Sequence, residues 1–301
     1  MTPQSTIISH VGQIPSRNFL DDLPRMPHPN SVLMCSPEYF DVIDVKNPFM
    51  ENQSGKIDRA HAQKQWDALR RSLAEIGLNV ELIPPVSGCE DMVFTANQTF
   101  VGLDDNQHKI CVLGRMKFAS RQREVPHFAA WFKRQGYEIH ALNGGYLFEG
   151  GGDALWHPGR RLIWGGYGQR TAPEVYSEIS GLFAAPVVLL PLQTERFYHL
   201  DTCFCPVDET TALVHFPALA ESGQELIRRV FTNLIEVDEH EATDLFACNA
   251  AAFHGRNVVL QRGSSKTTQR LSELGFQVRQ VETGEFMKSG GSVFCMTTAF
   301  V

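Results

Sequence analysis

The sequence predicts an α/β fold in which five similar units close into a ring, a five-bladed pseudo-symmetric α/β propeller. Three observations predict it. Six polar residues of the kinds that do chemistry, Asn47, Asn97, Glu149, His199, Asn249 and Cys295, follow one another at gaps of 50, 52, 50, 50 and 46 residues. A period of that size marks a repeat architecture. A helix-like run leading into a short apolar strand occurs five times, the strands starting at 80, 137, 187, 234 and 276. Such alternation would also suit a doubly wound parallel sheet, but no glycine-rich phosphate loop follows the first strand. Extra strands such as RRLIWGG and RNVVLQR fall between an anchor residue and the next helix. Several strands and one helix per unit fit propeller blades, and a closed ring would carry a Cys, a His and a Glu to one buried centre.

Residues 1–30 are polar, carry Pro15, Pro24, Pro27 and Pro29, and show no sustained period, so they read as an extended arm or partly disordered tail. The catalytic domain is then 31–301, opening on the strand Ser31–Cys35. The first helix is placed at 57–77, where Trp66, Leu69, Leu73 and Ile76 repeat at helical spacing and Gly77 stops the run; VELIP at 80–84 follows as a strand. The second helix is expected over 120–136 with its strand at 137–142, and the third over 171–183 with its strand at 187–192. The fourth spans 222–233 before the strand 234–238. The fifth spans 264–275, opened by a Ser264 cap, before the strand 276–282.

Composition narrows the function. Hydrophobic residues make up 43% and charged residues 20% of 301, as in an ordinary globular chain with a large core. A formal net charge of −7 without a long basic run argues against nucleic acid as a partner. No apolar run approaches the roughly 18 residues of a membrane span, and the N-terminus lacks the pattern of a signal peptide. Seven scattered cysteines, an odd number, fit a reducing cytoplasm better than a disulfide framework. Homo-oligomerisation is left open.

Four motifs carry chemistry. Ser289-Gly-Gly-Ser-Val-Phe-Cys295 ends a small-residue tract on a thiol, where the bland alternative is a buried structural cysteine. His199-Leu-Asp201 read as strand would project an imidazole and a carboxylate to one side, able to move a proton and hold a cation. Cys203 and Cys205 beyond it are too spread along a strand for a metal site and read as small core residues. Phe148-Glu149-Gly-Gly-Gly-Asp153 sets three glycines between two acids, an expensive arrangement for a plain turn. Asp91-Met-Val-Phe-Thr-Ala-Asn97 presents an amide, and Asn47 and Asn249 read individually as turn-forming residues.

Together these motifs resemble the guanidine-modifying enzymes of the pentein group: arginine deiminases, dimethylarginine dimethylaminohydrolases, arginine dihydrolases and amidinotransferases. The resemblance covers roughly residues 31–301 and rests on MVFTAN at 92–97, FEGGGD at 148–153, HLD at 199–201 and GGSVFC at 290–295, in the family's order. It implies a five-bladed propeller with Cys295 as nucleophile, His199 as general acid and base, Glu149 orienting His199, and Asp201 gripping guanidinium nitrogens. It places Arg115 and Arg170 where substrate-carboxylate partners often stand, with Arg121 and Arg123 competing for the first role. Asn97, Asn47 and Asp153 complete the expected substrate-binding set. The implied chemistry is hydrolysis of a guanidino C–N bond in arginine or N-methylated arginine through an S-alkylthiouronium, without metal or organic cofactor. An amidinotransferase is the alternative; a macromolecule-binding propeller is more remote, having no need of Cys, His and Glu together. Two departures bear on substrate. Phe294, immediately before Cys295, stands where polar residues are frequent in the family. Where deiminases and dimethylargininases carry an aspartate, MVFTAN ends in Asn97, whose NH2 can donate to the oxygen of a ureido group.

Overall fold

A computed structural model of the chain describes residues 6–14, 16 and 18–301. Five small sheets surround an axis. The N-terminal arm gives β1 (Ile7–Ile8), and β2 (Ser31–Cys35), α1 (Arg59–Glu75) and β3 (Asn79–Ile83) form most of the first blade. The second blade has β4 (Thr99–Leu103), β5 (Lys109–Leu113), α2 (Ala119–Gln122), α3 (Val125–Arg134) and β6 (Glu138–Ala141). The third has β7 (Ala154–Trp156), β8 (Ile163–Tyr167), α4 (Val175–Phe183) and β9 (Val187–Pro191). The fourth has β10 (Phe204–Pro206), β11 (Thr211–Val214), α5 (Glu221–Val230) and β12 (Asn233–Glu236). After α6 (Glu239–Thr243), the fifth has β13 (Ala251–Phe253), β14 (Asn257–Gln261), α7 (Ser265–Glu273) and β15 (Gln277–Val281). Then α8 (Gly284–Met287) leads to β16 (Thr298–Phe300).

Every blade repeats one pattern: an inner strand antiparallel to the middle strand, which runs parallel to the outer one. The first blade takes its inner strand from the far end of the chain. β16 lies antiparallel to β2, with Thr298 opposite Leu33, and this pairing closes the ring. A cavity of about 170 Å³ follows the axis, lined by Thr99, Ala154, Phe204, Ala251 and Thr298 from the five inner strands. The fold is the five-bladed α/β propeller that the repeat predicts.

Local physics accounts for the element ends. Asp58 caps α1 by accepting the His61 N–H at 3.0 Å, and Ala62, Trp66, Leu69 and Leu73 bury one face of the helix. Each of those large side chains stabilises by about 1.5–3 kcal/mol. The continuous helix expected over 120–136 is instead two, broken at Arg123–Glu124. Pro126, with no N–H to donate, is accommodated in the first turn of the second piece. Ser264 stands at the start of α7 but does not cap it; the Glu241 carboxylate accepts from the Lys266 and Thr267 amides instead. The arm is no tail where it is described. β1 adds to the third blade parallel to β9, and Ile8, Ile14, Phe19 and Met26 are buried. Among the described residues no helix is long and apolar enough to cross a membrane.

Candidate active site

Five of the six anchors sit a few residues ahead of an inner strand, in the loops that face the ring's centre: Asn97, Glu149, His199, Asn249 and Cys295, all buried. The HLD segment is not strand. His199 is extended and Leu200–Thr202 make one 3₁₀ turn before β10, because this is where the chain bends into the blade. Glu149 likewise leads into the turn Gly150–Gly152. The glycines there are dictated by contact. Gly150 has φ +54°, and a Cβ would lie 2.5 Å from the Asn97 carbonyl; on Gly152 it would lie 2.4 Å from Asn97 Nδ2. The triple glycine lets two inner loops touch.

One half of the site is a carboxylate–imidazole pair. Glu149 Oε2 is 2.7 Å from His199 Nε2 and also accepts Arg170 Nη1 at 2.9 Å, while Oε1 accepts the Lys117 N–H. Burial opposes the Glu149 charge, but Arg170 and the bond to His199 overcome it and pull its pKa to about 2. A permanent carboxylate on Nε2 fixes a proton there and turns Nδ1 inward. Nδ1 lies 3.5 Å from the Asn97 amide nitrogen. That amide's orientation is set from behind: Arg121, which can only donate, bonds Asn97 Oδ1 at 2.9 Å and is itself held by Glu124 and the Asp91 and Phe94 carbonyls. The NH2 of Asn97 therefore faces the centre.

The other half holds the thiol. Cys295 Sγ lies 3.2 Å from Asp201 Oδ2 and 3.2 Å from Asn249 Nδ2. Asn249 Oδ1 accepts the Ser292 and Cys295 amides, which anchors the loop carrying the thiol. Among the described residues, Asp201 Oδ1 is buried without a hydrogen-bond partner, an acceptor suited to a guanidinium N–H. Burial raises Asp201 to about 7, and burial reinforced by the Asp201 charge lifts the thiol well above its usual value.

Other predicted site residues fall elsewhere. The Arg115 side chain is exposed; only its backbone contributes, pairing with Phe148 to hold Glu149 in place. Arg170 is buried, stacked between Phe118 and Tyr198 and bonded to Glu149 and the Lys46 carbonyl, so it serves the Glu149 charge in this state. Asn47 caps the turn Pro48–Met50 and ties down the Ser289 carbonyl. Asp153 accepts from Thr171 Oγ1 and the Leu200 N–H, latching the Glu149 turn to the His199 turn; both its oxygens are spent behind the site. Arg121 and Asn249 are the two residues the sequence undervalued. Asn249's place in the 50-residue series was the signal for it; Arg121 had only its i, i+3 spacing from Glu124.

Residues 36–301 match the family described as N,N dimethylarginine dimethylhydrolase, eukaryotic. The chain belongs to that family. Among relatives, the bifunctional arginine dihydrolase/ornithine cyclodeaminase ArgZ of Synechocystis sp. is 39% identical over 88% of this chain. The chain spans 37% of ArgZ's length. The N(G),N(G)-dimethylarginine dimethylaminohydrolase of Mycobacterium tuberculosis is 35% identical, covering 91% of this chain and 86% of its own. The crystal structure of the ArgZ N-terminal domain bound to product superposes with a TM-score of 0.84 at 37% identity, covering 89% of this chain and 96% of that one. A variant of the same domain, covalently bonded to a reaction intermediate, also gives 0.84, at 36% identity over 90% and 98%. Among these relatives, then, one is named an arginine dihydrolase and another a dimethylarginine dimethylaminohydrolase, and the first has been seen covalently bonded to a reaction intermediate.

Proposed function

We propose that this protein is an arginine dihydrolase, taking arginine to citrulline and citrulline on to ornithine. A guanidinium is flat and delocalised, and its carbon is a poor electrophile. The free oxygen of Asp201 grips its N–H groups and fixes the plane beside Sγ. Cys295 attacks as the thiolate, and an amine leaves. The thiouronium is then hydrolysed by water that His199 activates through Nδ1, while Glu149 stabilises the imidazolium formed.

What supports the second hydrolysis is the orientation of the Asn97 amide. Arg121 holds its oxygen, so a donor faces the reacting carbon. A ureido oxygen is an acceptor and is held by that donor; a carboxylate in its place would favour a cation and repel the product. The relatives described above carry hydrolase activities in their names, which favours hydrolysis over amidino transfer. The test is direct. Purified protein given arginine, or citrulline alone, yields ornithine. A protein that stops at citrulline, or that releases dimethylamine from dimethylarginine and ignores arginine, is not a dihydrolase.

A further inference from the structure

The groups of the active site are sealed: Asn97, Glu149, His199, Asp201 and Cys295 are each no more than 3% exposed. Lys46 and Asn47 are tied to the site through Arg170 and the Ser289 carbonyl. None of those four residues lines the axial cavity. The site residues precede the inner strands, so the cavity between those strands leads away from them. Its wall begins at Ala96, Asp201 and Phe294 and ends at the exposed Pro27, His28 and His254, beyond the far ends of β7 and β13. An inner strand of three to five residues, at about 3.3 Å each, gives it a length of roughly 10–17 Å. One water-sized molecule needs roughly 10–15 Å³, so about 170 Å³ holds a file of them.

We propose that this cavity is a rear passage through which neutral ammonia leaves the active site while the amino acid still occupies it. This rests on the dihydrolase reading above. In the first half-reaction thiol and guanidinium become thiouronium and ammonia. The S–C bond forms, the C–N bond breaks with its electron pair going to nitrogen, and the hydrogen lost by sulfur ends on that nitrogen. The positive charge stays on the covalent adduct, so the departing molecule is neutral. A dihydrolase must release this ammonia and still keep its citrulline. A way out that does not pass the amino acid meets both needs.

The wall suits a small neutral molecule. It is mostly apolar, and among the described residues Asp201 is its one carboxylate, with no lysine or arginine. His157 is neutral there: burial pushes its pKa down to about 4, and its ring nitrogens lie against the Glu209 carbonyl and the Trp164 indole N–H. An ion would give up its hydration in such a passage and find no counter-charge beyond Asp201, a penalty that a neutral molecule escapes. Two buried polar atoms without a hydrogen-bond partner among the described residues belong to this wall, Asp201 Oδ1 and Thr99 Oγ1. They offer ammonia hydrogen bonds, the first beside the breaking C–N bond and the second at the start of β4.

Ala252 and Ala299, both half-buried in the wall, are the places to narrow the passage. Each protein turns over arginine in 15N-labelled ammonium at pH 9, and the arginine left at half conversion is analysed by mass spectrometry. A path that lets ammonia out lets it back in, so wild type returns 15N to arginine by reversal of the first step. Ala252→Leu and, independently, Ala299→Leu return at least tenfold less label per turnover; if one does not fold, the other serves. No label in wild-type arginine, or undiminished label in a variant with the wild-type circular dichroism spectrum, overturns the proposal. A second readout needs no turnover. Cys205 lies in the wall and Cys203 does not. Iodoacetamide, small and neutral, alkylates Cys205 at least tenfold more slowly in the variants, while the Cys203 rate is unchanged. If the protein ignores arginine, the dihydrolase reading fails and this labelling alone decides: a Cys205 rate that the leucine leaves unaltered overturns the passage.

Discussion

Replacing Asn97 by Asp keeps the size of the side chain and exchanges two amide hydrogens for a second acceptor. Arg121 Nη1, 2.9 Å from Oδ1, would hold one carboxylate oxygen where it now holds the amide oxygen. The other oxygen must then face the centre. Toward a guanidinium this adds attraction, so the first step survives. Toward the ureido oxygen of citrulline it sets acceptor against acceptor and leaves a buried group unsatisfied, a loss of about 1–3 kcal/mol, or roughly 5- to 150-fold in the second step. The assay is the citrulline-to-ornithine ratio at completion, measured chromatographically for both proteins from the same arginine stock. Wild type ends in ornithine and Asn97→Asp accumulates citrulline. A variant that reaches ornithine with the wild-type ratio refutes the role given to the amide.

Other outcomes follow from the same geometry. Cys295→Ser keeps its circular dichroism spectrum and loses activity to below about a hundredth of wild type, since an alkoxide is far harder to form than a thiolate. Arg115→Ala, an exposed side chain, leaves kcat/KM within about threefold, as surface substitutions do. Arg170→Ala lowers kcat sharply, because Glu149 loses its buried cation. Asp201→Asn changes the pH dependence of stability. Burial holds the folded-state pKa of Asp201 at about 7, above its ordinary value of 3.8, so its ionisation penalises folding increasingly between those values. The Tm of the variant minus that of wild type therefore rises from pH 4 to pH 8; a difference independent of pH contradicts the buried assignment.

The ring was legible because repetition survives without sequence identity: the anchors are spaced by the length of a blade, and every blade needs one helix and three strands. Strand starts were close to their true positions, as apolar runs after Gly77 and Gly136 leave little choice. What failed were places where a neighbour distant in sequence decides. Glu241, not Ser264, caps α7; β9 draws the arm into a sheet; and His199–Asp201 turn rather than extend because the inner loops must pack at the axis. The same limit explains the arginines. Arg115 and Arg121 are equally basic in the sequence, and only Glu124 and Asn97, brought together by folding, draw Arg121 inward.

Covalent catalysis at Cys295 is tested most directly in the His199→Ala variant, which lacks the base for water but retains Asp201, Asn249 and the thiol. The variant is mixed with arginine, quenched in acid within a turnover, and mapped by peptide mass spectrometry. The predicted result is an S-alkylthiouronium adduct, arginine less ammonia, carried on the Cys295 peptide at higher occupancy than in wild type quenched alike, and on none of the other six cysteines. Less adduct in the variant than in wild type, or an adduct on another cysteine, contradicts it.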